Sequence, residues 1–66
     1  MQWLKELRIQ KGLTQEAVAK GSQMTRTAYG NIEVGKRQPS VRAAKRISTV
    51  LGFDWTRFFE ENRDSA

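Results

Sequence analysis

Cysteine and histidine are both absent from the 66-residue chain. Their absence excludes a disulfide staple and a thiolate metal site, and leaves the serines without the usual catalytic base. No apolar run approaches the roughly 18 residues of a membrane span, and Lys5 and Glu6 interrupt the amino terminus where a signal peptide needs its apolar stretch. The expected address is the cytoplasm, with no membrane partner. Repeats, low-complexity segments and strand-like alternation are missing too. A chain this short is expected to form one domain over residues 1–66, burying only about 60% of the surface its unfolded form exposes. It must therefore stand on helix packing, with help from a partner subunit. Negative charge is scarce outside the tail. Residues 1 to 51 carry ten Lys and Arg against Glu6, Glu16 and Glu33, a balance of +7, while residues 52 to 66 carry two basic and four acidic side chains, a balance of −2. A basic body with an acidic tail fits a polyanionic partner.

What is present reads as five short helices, an all-α domain. Trp3, Leu4, Leu7 and the stem of Lys11 lie at helical spacing over residues 2 to 11, and Gly12 stops that helix. Leu13 is the buried linker residue to a second helix, residues 15 to 21, capped by Thr14 and packing through Val18 and Ala19. Thr25 caps a third helix from Arg26 to Glu33 or Val34, ended by Gly35 in a left-handed position. After the polar connector Lys36-Arg37-Gln38-Pro39, Ser40 caps a fourth helix from Val41 to Leu51. Its buried stripe is expected to be Val41, Ala44, Ile47, Val50 and Leu51, with Gly52 closing it. Asp54 caps a last helix over residues 55 to about 61, carrying Phe58 and Phe59, and an acidic tail at about 62 to 66 is expected to fray.

The third helix has two sides. At 100° per residue, Arg26, Thr27, Gly30, Asn31 and Val34 fall within an arc of about 140°, and Ala28, Tyr29 and Ile32 occupy another. The second set packs. The first is small and polar, suited to a major groove about 12 Å wide, where arginine and asparagine can make bidentate hydrogen bonds to guanine and adenine edges. Any soluble helix also shows a polar outer face, so this pattern alone does not decide. Gly30 to Lys36 match the G-x-x-x-x-G-K spacing of a phosphate loop, but Arg37 replaces the following Ser or Thr, no strand precedes, and Glu33 sets negative charge inside the cradle. Glu60 and Glu61 are adjacent and so face different ways. No catalytic residue, metal site, cofactor or small-molecule ligand is expected.

The register of the segment L-T-Q-E-A-V-A-K-G-S-Q-M-T-R-T-A-Y-G-N-I-E-V-G-K, residues 13 to 36, resembles the helix-turn-helix domain of the lambda repressor and Cro family, also called the Xre family. The motif covers about 14–34 and the likeness runs from about Leu4 to Phe59. Gln15 opens the helix before the turn, Ala19 lies at the crossing, Thr25 caps the recognition helix, and Ile32-Glu33-Val34-Gly35-Lys36 close it. The resemblance implies base contacts from Arg26, Thr27, Gly30 and Asn31, and phosphate contacts from Thr14, Gln15, Lys36, Arg37, Ser40 and Arg42. It pairs Arg8 with Glu33 as a partly buried salt bridge. It also implies sequence-specific binding to double-stranded DNA by a transcriptional regulator, a repressor acting as a homodimer on a palindromic operator.

One position departs from the family pattern. Gln23 stands where a left-handed glycine is usual, so either Gln23 takes that conformation or the chain bends earlier at Gly21. At the carboxyl end Phe59 is assigned to the core, and Trp55 and Phe58 to a dimer interface; the alternative folds all three onto the first helix beside Trp3. A rival function is a protein-interaction module, such as the DNA-binding antitoxin partner of a toxin.

Overall fold

A computed structural model describes the backbone of residues 1–64 and the side chains of residues 1–60. Five helices follow one another: α1 Gln2–Gln10, α2 Gln15–Gly21, α3 Arg26–Glu33, α4 Val41–Leu51 and α5 Arg57–Asp64. Among the described residues there is no strand. Three helices begin the same way. The hydroxyls of Thr14, Thr25 and Ser40 accept from the backbone N–H of Ala17, Ala28 and Ala43 at 3.0, 3.0 and 3.1 Å. Each bond satisfies one donor that helix geometry leaves free, and losing it costs about 1 kcal/mol.

The first four helices end on a left-handed residue: Gly12, Gly35 and Gly52, and at the end of α2 Gln23 with φ 59°. Met24 N–H donates to Ala19 O at 2.9 Å and Gln23 N–H to Lys20 O at 3.2 Å, the paired closure of a Schellman turn. Gln23 thus takes the strained conformation. Gly21 remains inside α2, where an added Cβ would stand 3.1 Å from Val50 Cγ2, so this glycine serves the close approach of α2 to α4. Replacing Gln23 with glycine should relieve about 1 kcal/mol of left-handed strain and raise the melting temperature by about 4–8 °C, with DNA sequence preference unchanged. A calorimetric scan showing a lower melting temperature would refute this account of the turn.

The core gathers Leu4, Val18, Ala19, Tyr29, Ile32, Ala44, Ile47, Leu51 and Phe58. Four assignments shift. Leu13 and Val50 are half-buried rather than buried. Val41 is 49% exposed, because the first turn of α4 runs past the core, with Ser40 and Arg42 beside it also exposed. The stripe includes Ser48 instead, whose hydroxyl can be buried because it donates back to Lys45 O at 2.8 Å.

The last helix starts late. Asp54 Oδ1 accepts from Thr56 N–H at 3.0 Å and Thr56 Oγ1 at 2.8 Å. The N–H groups of Arg57, Phe58 and Phe59 then bond three residues back, to Asp54, Trp55 and Thr56. This tight turn precedes regular helix, which begins at Arg57 and reaches Asp64. The two phenylalanines exchange their expected burial. Phe58 is 2% exposed, its ring 5.4 Å from those of Trp3 and Phe53, and it is a core residue rather than an interface residue. Phe59 is half-buried beside Trp55, whose ring carries Lys45 Nζ at 5.1 Å. Of the tail expected to fray, residues 62–64 belong to α5, and residues 65–66 lie outside the described residues. Among the described residues no helix is long and apolar enough to cross a membrane.

Candidate nucleic-acid interface

The packed side of α3 is anchored by buried Tyr29 and Ile32, with Ala28 half-buried. Arg26 and Thr27 are exposed on the opposite side, and Gly30 and Asn31 half-exposed. These four line one open hollow of about 370 Å³ together with Gln15, Val34 and Lys36. A second, of about 570 Å³, runs from Thr27 and Asn31 past Arg37 to Ser40. Neither hollow is lined by a carboxylate.

The turn after α3 explains how Lys36 and Arg37 reach this face. Gly35 is left-handed, its N–H donates to Ile32 O at 3.1 Å, and the N–H groups of Lys36 and Arg37 return to Asn31 O at 2.8 and 3.2 Å. The chain folds back on the helix end. Thr14 lines a further hollow with Gln15 and Arg26, whereas Arg42 is exposed in the first turn of α4 and lines none of these three. The Thr14 and Ser40 oxygens accept from backbone N–H groups, so each hydroxyl keeps its own proton to donate outward.

Behind the exposed face lies a charge that does not reach it. Glu33 has a 3% exposed side chain and binds Arg8 by two bonds: Nε donates to Oε2 at 2.8 Å and Nη2 to Oε1 at 3.1 Å. Arg8 Nη1 also donates to Leu13 O at 2.8 Å, so one guanidinium joins α1, the connector and α3. Gln15 Nε2 donates to Glu33 Oε1 at 3.0 Å, which commits one of its two amide protons inward. Sequence spacing carried no signal for this last bond.

Burial, the largest influence, pushes the Glu33 carboxyl up, but hydrogen bonding, that from Arg8 foremost, outweighs it and holds the group below the ordinary carboxylate range. The Arg8 guanidinium is raised, first by its hydrogen bond to Glu33. Tyr29 is raised as well, first by burial and then by Glu33. Its hydroxyl is buried beside the pair without a hydrogen-bond partner in good geometry.

The helix-turn-helix family model matches residues 4–58. The chain belongs to this family, of the lambda repressor and Cro type. As a helix-turn-helix protein it is a DNA-binding transcription regulator and not an enzyme. It is 56% identical over 59 residues to the uncharacterized HTH-type transcriptional regulator YqaF of Bacillus subtilis (strain 168), a match covering 89% of the chain and 78% of that relative. It is 37% identical over 49 residues to the SPbeta prophage-derived uncharacterized HTH-type transcriptional regulator YonR of the same organism, covering 74% of the chain and 45% of YonR. The HTH-type transcriptional regulator PuuR of Escherichia coli (strain K12) is 34% identical over 58 residues, 88% of the chain and 31% of PuuR. The chain thus spans most of the first relative and less than half of the other two. No solved structure matches.

Proposed function

We propose that the protein is a repressor that binds a two-fold symmetric operator as a homodimer in the cytoplasm, with α3 in the major groove. One observation carries this reading. The exposed side of α3 shares a hollow with Lys36 that no carboxylate lines, while the acid within the same segment, Glu33, is buried and paired. Arg26, Thr27 and Asn31 face base edges, and Gly30 lets the backbone approach. Lys36, Arg37, Arg42 and the Thr14 and Ser40 hydroxyls serve phosphates, which set register and salt-dependent affinity. Gln15 also borders this surface, through the amide it turns towards Glu33. Subunit contact falls to the half-buried Trp55, with Phe59 in the place assigned to Phe58. Two such subunits set their α3 helices about 34 Å apart on successive grooves.

Selection of bound sequences from random duplex DNA at fixed salt tests this. The parent should enrich two inverted half-sites about one helical turn apart. Arg26→Ala should relax preference at one position of each half-site, whereas Lys36→Ala should weaken all sequences and lower the salt slope by about one unit. Enrichment of single half-sites removes the dimer, and no enrichment by the parent removes specific recognition.

A further inference from the structure

We propose that Gln15 is a positioning residue that ties the start of α2 to the end of α3 through the buried Glu33 carboxylate, so that both helices of the motif meet DNA as one rigid unit. This rests on the DNA-binding reading above and adds to it how the reading helix is held. Gln15 Nε2 donates to Glu33 Oε1 at 3.0 Å, the oxygen that Arg8 Nη2 reaches at 3.1 Å. Gln15 Oε1 lies 3.7 Å from where a Cβ on Gly30 would stand. The carboxamide therefore lies along the last turn of α3, from Gly30 to Glu33, with its acceptor towards the middle of that helix. A phosphate needs donors, and here one donor is spent inward while the carbonyl oxygen faces α3.

Gln15 also forms a partition. It lines the hollow shared by Arg26, Gly30 and Lys36, and equally the one shared by Lys5, Arg8 and Glu33. The charged and titratable groups around it are the amino-terminal ammonium of Met1, which donates to Glu33 O at 2.8 Å, Lys5 and Arg8 from α1, Glu16 from α2, Arg26 and Glu33 from α3 with buried Tyr29 behind, and Lys36 after it. Among these, Glu33 holds its amide, and Arg8 holds Glu33.

Gln15→Glu keeps the shape and sets a carboxylate against Glu33. In the free protein we expect its melting temperature to fall about 5 °C below the parent at pH 7.5. The gap should narrow as the pH falls towards 5, because two facing carboxylates come to share a proton. A side chain turned outward gives the opposite sign, since an acid in the first turn of α2 favours the helix. An unchanged or raised melting temperature therefore overturns the proposal. The functional arm measures affinity for the selected operator in Gln15→Met, Glu33→Gln and the double variant, each checked for folding by its melt. Acting through Glu33, the two single losses, each on the order of tenfold, should not multiply in the double variant. Losses that multiply assign Gln15 a separate contact and sink the positioning role. A parent that selects no sequence overturns the sequence-specific reading and the functional arm with it, while the melting comparison still decides the contact.

Discussion

An Arg8→Met variant should melt about 12–24 °C below the parent. The substitution keeps an apolar stem but leaves the Glu33 carboxylate, 3% exposed, without its guanidinium. Breaking a buried ion pair costs about 3–5 kcal/mol, and the low end fits this pair because Arg8 is 13% exposed. In a domain of this size each kcal/mol moves the melting temperature by about 4–8 °C. The Arg8→Met, Glu33→Leu double variant should recover much of the loss, since replacing both partners by apolar groups removes the uncompensated charge. Acid adds a sign test. Glu33 is held below the ordinary carboxylate range in the folded state, so the pair's contribution is complete above its unfolded value and disappears as pH falls through the lower folded one. In Arg8→Met the unpaired carboxyl is pushed up instead, so the variant's deficit should shrink on acidification, as measured by circular dichroism melts from pH 7 to 4. A deficit constant across that range would show that the missing charge is not its cause.

Gly30→Ala should make the protein more stable and a poorer DNA binder. The new Cβ meets only Gln15 Oε1, at an ordinary 3.7 Å. Alanine inside a helix is favoured over glycine by about 0.8–1.0 kcal/mol, which predicts a melting temperature higher by about 4–8 °C. At the proposed groove contact the same methyl has no free space. Overpacking of about 1–3 kcal/mol corresponds to a loss of about 5- to 150-fold in operator affinity. Melting and fluorescence-anisotropy titration on the same sample read both quantities. Affinity unchanged in the more stable variant would mean that Gly30 stands clear of the DNA.

Helix starts were open to reading in the sequence because they are local: a hydroxyl at Thr14, Thr25 or Ser40 needs only the N–H three residues on. Glycine stops are local for the same reason. The Arg8–Glu33 contact joins residues 25 apart, and no spacing rule pairs them; only the family register does. The inward turn of Gln15 is harder still, since a glutamine at that position looks the same whether it faces solvent or a buried acid. Phe58 and Phe59 show a further kind of difficulty. Adjacent helical residues point about 100° apart, so one faces the core, and which one depends on how the tight turn after Asp54 aims α5. Val41 fits the periodicity of its stripe, but periodicity does not say where the core ends.

The longest helix has 11 residues and α3 only eight, short of the roughly 12–15 at which an isolated helix persists in water. The surface that α3 presents therefore has no existence apart from the core that it covers. Any loss of stability, wherever it originates, subtracts directly from the population of molecules able to bind DNA. Heat, proteolysis of the unfolded chain and distant core substitutions become, for this regulator, ways of lowering its active concentration.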